Sequence, residues 1–238
     1  SDIAVAGSTF TVGGLTPGSY AIVITDANGC EVTINETIQP QITIAASLLK
    51  DLDCSASPDA QIQVTTTGGN GGNTFEVNIN SGGYVAYGGA FPYTTLTAGT
   101  YQFRVTDSEG CQATSSVITV TPNTPPTVTS VDPTSIACNG DTTGIITFTG
   151  IGSGTPPYVT SIDNGTTFSS QTTYSGLPAG TYDWVVRDAK QCTVTGQVVI
   201  AEPTAIFEEV HNCDNPFSVN FINLSIGADN VLWDFGDG

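Results

Sequence analysis

The chain has no methionine, four basic residues and a single histidine, and each shortage closes off a class of function. Lys50, Arg104, Arg187 and Lys190 stand against 22 acidic residues, for a formal net charge of −18 over 238 residues. Such a surface repels phosphate backbones and anionic bilayers, so neither nucleic acid nor membrane insertion is expected. One histidine, His211, supports no Ser–His–Asp or Cys–His constellation and reads as a solvated linker residue. No Gly-x-x-x-x-Gly-Lys loop offers a phosphate cradle, and no Cys-x-x-Cys pair suggests zinc. The chain is therefore not expected to be an enzyme, and no cofactor is expected beyond Ca²⁺ at domain junctions. No apolar run approaches the roughly 18 residues of a spanning helix. No basic segment followed by an apolar one opens the chain, so no signal peptide is read in it.

What is plentiful is Thr, Val, Ile, Ser and Gly. The β-branched residues favour strands, and Gly with Asn and Asp favours turns. No window carries apolar residues at helical spacing for three turns. The fold class is all-β.

Internal repetition settles the organisation. Leu15-Thr-Pro-Gly-Ser-Tyr20 leads through Ala-Ile-Val-Ile-Thr to Asp26-Ala-Asn-Gly-Cys30. Leu96-Thr-Ala-Gly-Thr-Tyr101 leads to Asp107-Ser-Glu-Gly-Cys111, and Leu177-Pro-Ala-Gly-Thr-Tyr182 to Asp188-Ala-Lys-Gln-Cys192. Tyr20, Tyr101 and Tyr182 stand 81 residues apart without a gap. After each tyrosine the residues alternate as in a strand, with inward sets Tyr20/Ile22/Ile24, Tyr101/Phe103/Val105 and Tyr182/Trp184/Val186. Leu-x-x-Gly-x-Tyr reads as a tyrosine corner, in which the phenol bonds back to nearby backbone. Asp-x-x-Gly is a tight turn, and Gln191 in place of the glycine puts the third turn's geometry in question. Second strands follow at 31–38, 112–120 and 193–200, each ending near a proline that cannot continue a central strand.

Upstream, Cys54 precedes Ala60-Gln-Ile-Gln-Val-Thr and Cys138 precedes Gly144-Ile-Ile-Thr-Phe-Thr, each followed by a Gly-rich turn and a further strand. Six or seven short strands per repeat suit a sandwich. The expected organisation is a tandem, elongated array of Ig-like β-sandwich domains. It comprises residues 1–40 as the last strands of a partial repeat, 41–122 and 123–203 as complete repeats, and 204–238 as the start of a different domain. The two terminal segments are expected to be poorly packed or completed by a neighbouring chain.

On the Leu-x-x-Gly-x-Tyr, Asp-x-x-Gly-Cys and early-cysteine motifs, residues 1–203 resemble the SprB-type repeats of gliding-motility adhesins from Bacteroidota. Trp233-Asp-Phe-Gly-Asp-Gly238 is similar to the start of a PKD domain, in which Trp233 would be buried. The resemblance implies extracellular display at the cell surface through type IX secretion, a place in a filament or stalk, and no catalytic residue. It also implies an O-glycosylation pattern at Asp141-Thr142-Thr143, with Thr142 as the acceptor.

Six cysteines in a turn-rich chain of this kind read as disulfides. The preferred pairing lies within repeats, Cys54 with Cys111 and Cys138 with Cys192, leaving Cys30 and Cys213 to partners elsewhere. The rival pairing joins successive repeats as Cys30–Cys54, Cys111–Cys138 and Cys192–Cys213. Separation of Cα atoms decides between them.

Asp51, Asp53, Asp59, Asp26, Asp107 and Asp188 are the candidate Ca²⁺ ligands, against the simpler reading that they cap turns. Tyr84, Tyr87, Phe91 and Tyr93, in the central loops of the second repeat, are the candidate ligand surface. Three functions fit: a non-catalytic stalk or filament segment of a secreted cell-surface adhesin, repeats that themselves bind polysaccharide or another cell surface, or a spacer in a secreted hydrolase. Fixed-spacing repetition without unique chemistry in any unit favours the first, with further repeats of the same chain as partners.

Overall fold

A computed structural model describes residues 9, 11–211, 218–226, 232–234 and 236. The described residues contain twenty strands and no helix. In chain order these are β1 (Gly18–Thr25), β2 (Glu31–Ile38), β3 (Thr43–Lys50), β4 (Ala60–Thr67), β5 (Thr74–Ile79), β6 (Tyr84–Tyr87) and β7 (Tyr93–Thr95). β8 (Gly99–Thr106), β9 (Gln112–Thr114), β10 (Ile118–Val120), β11 (Pro126–Thr127), β12 (Ser130–Thr134), β13 (Gly144–Thr149) and β14 (Gly152–Ser153) follow. The last six are β15 (Val159–Ser161), β16 (Thr173–Leu177), β17 (Gly180–Arg187), β18 (Thr193–Ile200), β19 (Phe207–His211) and β20 (Val219–Asn223). The chain divides into two compact units, Ser1–Leu52 with Asp59–Pro122, and Asp53–Pro58 with Asn123–Gly238.

The first unit contains a sandwich. One sheet runs β10-β8-β5-β6 with β9 also on β8, and the other runs β3-β4-β7. Strand alternation sends Ala60, Ile62 and Val64 of β4 into the same core as Val77, Tyr101, Phe103 and Val120 of the opposite sheet. Tyr101, Phe103 and Val105 are fully buried, as their alternation predicts. The expected continuous strand 112–120 is broken at Ser115. The Phe103 amide donates to the Ser115 hydroxyl (3.0 Å) instead of to a backbone carbonyl, and β9 and β10 pair with β8 on either side of that break. A third element, the antiparallel hairpin β1–β2, pairs with no other strand among the described residues.

The second unit repeats the plan with sheets β12-β13-β16 and β15-β17-β18 around Ile136, Ile146, Phe148, Val186, Val198 and Ile200. Tyr182 and Trp184 pack against this core from β17. Val185, on the opposite register, is buried as well. The loop after β15 lies over that face, through Asn164 N–H to the Asp183 carbonyl (2.9 Å) and Arg187 stacked 3.8 Å above the Phe168 ring. Among the described residues the strands β19 and β20 pair only with each other. His211 ends β19 beside Glu209 and does not lie in a linker.

Candidate functional site

The repeated corner and turn form the same structure three times. The Tyr20, Tyr101 and Tyr182 hydroxyls donate to the carbonyls of Thr16 (2.7 Å), Thr97 (2.7 Å) and Pro178 (2.9 Å), each four residues back. The corner glycines Gly18, Gly99 and Gly180 have φ of 153°, 151° and 155°, a backbone that side-chain-bearing residues rarely adopt. In the turns, the Asp26, Asp107 and Asp188 amides donate to the carbonyls of Cys30, Cys111 and Cys192, all at 3.0 Å. The same aspartates' Oδ1 atoms each accept the cysteine amide at 2.8 Å. Gly29 and Gly110 sit at φ 82°, and Gln191 adopts φ 64° with the same amide bond back to the aspartate carbonyl. The third turn keeps its geometry without glycine, because the surrounding bonds hold Gln191 in the left-handed region.

These carboxylates are therefore occupied by backbone. Asp107 Oδ2 accepts from the amide and side-chain nitrogen of Asn70 (3.0 and 2.9 Å), and Asp188 Oδ2 accepts from the Thr155 amide (2.9 Å). The second and third turns are thus each tied to the Gly-rich loop of their own sandwich. Neither Asn70 nor Thr155 stands out in the sequence, since only the fold brings them to the turn. Hydrogen bonds from the Cys30 and Asn28 amides hold Asp26 below the usual carboxylate range, and the Asn70 amide does the same for Asp107. Asp51 accepts from the Leu52 and Thr121 amides (both 2.9 Å), Asp53 from Ser55, and Asp59 from the Gln61 side chain. No group of three or more His, Cys, Asp or Glu placed to hold a metal occurs among the described residues.

The cysteines pair as neither expectation had them. Cys54 is bonded to Cys192, 138 residues on, with Cα atoms 4.8 Å apart. Cys111 and Cys138, expected as the partners of Cys54 and Cys192, are free and exposed, as is Cys30. Cys213 lies outside the described residues. The reason is topological: in each sandwich the early cysteine and the turn cysteine sit at opposite ends. The turn at Asp107 lies beside the loop 68–72, whose Gly69 amide reaches Pro40, where the chain comes in. Asp51, three residues before Cys54, bonds Thr121, where the chain leaves. Two cysteines at opposite ends of one sandwich cannot approach within the roughly 7 Å that a bridge needs. The segment Asp53–Pro58 belongs instead to the second unit. There the Cys54 amide donates to the Lys190 carbonyl (2.7 Å) and the Asn123 side chain to the Asp53 carbonyl (2.6 Å).

The candidate aromatic surface also dissolves. Tyr84 and Tyr87 are three apart on β6, so alternation sends them to opposite faces. Tyr87 packs tilted on Phe91 and edge-on to Tyr93, and the three reach the core with Phe75, Tyr101 and Phe103 as ring neighbours. Burial raises the Tyr93 phenol above its ordinary value. Tyr84 lies on the outer face beneath Arg104 (4.2 Å), which pairs with Glu76 (2.7 Å). That bond lowers the Glu76 carboxyl and raises the Arg104 guanidinium. Thr142 is exposed in the loop before β13, next to Asp141, whose carboxylate accepts the Cys138 amide (3.2 Å).

A different aromatic group gathers near the other end of the chain. Phe207, Phe221 and Trp233 have ring centroids 5.4–6.0 Å apart and line shallow grooves with Val210, Val219 and Leu232. Trp233 is partly exposed there, where the PKD-like motif implies a buried position.

No family model matches the chain, and no curated protein matches it. Among solved structures it is similar to a chain of a 1.5-MDa bacterial ice-binding adhesin described for its host cell surface retention. The TM-score is 0.39 and the identity 16%, over 77% of this chain and 73% of that chain. A likeness at this level carries no argument about function.

Proposed function

We propose that the chain is a non-catalytic structural segment of an extracellular cell-surface stalk, of the kind its SprB-like motifs imply for an adhesin. The observation that carries this reading is the threefold recurrence of one corner, strand and turn with the same hydrogen bonds, at a fixed spacing. Units that share one hydrogen-bonded framework add length, not catalysis. The Cys54–Cys192 bond supports an oxidising compartment, where such bonds persist. It also joins segments from successive sequence repeats, which suits a chain that bears tension.

Single-molecule extension tests this. The oxidised chain should unfold at resolvable forces while the segment between Cys54 and Cys192, a sequence separation of 138, stays shielded from load. Reduction should release about 500 Å of further contour at the roughly 3.6 Å per residue of an extended chain. A chain that extends without resistance in either state would overturn the stalk reading. Specific binding of the purified chain to polysaccharide or to cells would favour repeats that act as binders themselves.

A further inference from the structure

Each sandwich carries a turn cysteine at its leading end and a loop cysteine at its trailing end. In the second unit the turn is held beside Thr155, whose loop follows β14, and β14 pairs with Pro126 where the chain comes in. The loop at Cys138 is held beside Glu202, where the chain leaves, through the Gly140 amide (3.2 Å). The bond that forms, Cys54–Cys192, joins the early cysteine of one sequence repeat to the turn cysteine of the next, inside the second unit. Cys138 is the counterpart of Cys54, and Cys111 the counterpart of Cys192, and both are free and exposed.

The Cys111 turn is already built for the bond. It has the same aspartate-to-cysteine amide bond and the same backbone closure as the Cys192 turn. The Glu109 carbonyl stands at the position of the Lys190 carbonyl that accepts the Cys54 amide. Among the described residues Cys54 and Cys192 are used by each other, and Cys111 and Cys138 are not bonded to one another.

We propose that Cys138 and Cys111 are the two open halves of the same clasp, and that the partner is a further repeat of this type, which a second copy of this chain supplies. The Cys138 thiol of one copy joins the turn thiol of the next, head to tail. The oxidant is a low-molecular-weight disulfide such as oxidised glutathione. One thiolate attacks it and expels one glutathione, and the second thiolate displaces the other from the mixed disulfide. Two protein thiols thus become one disulfide while the oxidant is reduced to two thiols. A head-to-tail bond leaves one open half at each end of a dimer, so it can add further copies as chains or rings and is not limited to dimers. This inference rests on the register of the clasp and holds whatever the stalk carries.

The test uses the whole chain, reduced and then reoxidised in a glutathione buffer over a range of protein concentrations. It is read by non-reducing electrophoresis and by mass spectrometry of unreduced digests. The expected result is a Cys54–Cys192 peptide at every concentration, and a concentration-dependent ladder whose cross-link joins Cys138 to Cys111 or to the matching turn cysteine Cys30. Cys138→Ser should abolish the ladder while the Cys54–Cys192 peptide and the melting temperature stay unchanged, and Cys213→Ser should leave the ladder intact. Cys138 remaining open to alkylation while Cys54–Cys192 is fully oxidised would overturn the proposal. So would a Cys138–Cys138 dimer, a Cys138–Cys213 bond, or an in-chain Cys138–Cys192 bond.

Discussion

The hairpin β1–β2 and the strands β8–β10 have one sequence pattern and opposite fates. Tyr101 and Phe103 are 0% exposed under the β3-β4-β7 sheet. Their counterparts Tyr20 and Ile22 form the same corner and the same strand, yet Ile22 is 46% and Ile24 53% exposed. Across the hairpin, Ile22 faces Ile34 and Ile24 faces Val32, so the apolar stripe is continuous and, among the described residues, uncovered. The corner and the turn therefore arise from local bonds and do not require a core, while burial depends wholly on the opposite sheet.

Phe103→Ala should break the buried copy, costing ~3–5 kcal/mol by lost transfer energy and cavity. Ile22→Ala should cost well under ~1 kcal/mol, because its side chain keeps much of its water contact. Chemical denaturation of both variants measures the contrast, and equal losses would mean that the β1–β2 face is covered in solution.

The third copy differs from the second in its cysteine, bonded and buried at Cys192 but free at Cys111. Reduction, or Cys54→Ser, should lower the stability of the second unit by ~2–4 kcal/mol, whereas Cys111→Ser should leave the first unit's melting unchanged. Calorimetry with resolved transitions checks both. Tyr101→Phe removes one corner hydrogen bond and should cost ~1 kcal/mol, against a smaller loss for the exposed Tyr20→Phe. Gln191→Gly should stabilise the third turn by up to ~1 kcal/mol, since glycine occupies φ 64° without a steric penalty. Gly110→Gln should do the reverse.

The smallest effect is one of pH. Hydrogen bonds from the Ser161 and Thr167 side chains and the Thr167 amide lower Asp163 to about 2. A carboxyl lowered on folding contributes stability that is present above its unfolded value near 4 and is lost as pH falls through 2. Asp163→Asn should flatten the melting temperature between pH 4 and 2, and an unchanged slope would show that the Asp163 loop does not hold these bonds in solution.

Much of this is legible in the sequence, because it depends on residues close together along the chain. Alternation after Tyr101 placed Phe103 and Val105 inside, and Leu-x-x-Gly-x-Tyr announced the corner. Glycine at a turn was a weaker guide: Gln191 fills the same conformation, held by bonds that the sequence does not display. The aromatics near Phe91 misled because a Gly-rich neighbourhood looks like an exposed loop, whereas Phe91 and Tyr93 fold back to close the sandwich edge.

By itself the sequence determined the all-β class, the 81-residue repeat, and the corners and turns, whose hydrogen bonds close within four or five residues of backbone. Which cysteines meet, and which apolar faces are covered, was decided only by tertiary structure. Both depend on the end of the sandwich from which a loop emerges and on the sheet that lies across it. Those are set by strand order and direction, and no local spacing encodes them.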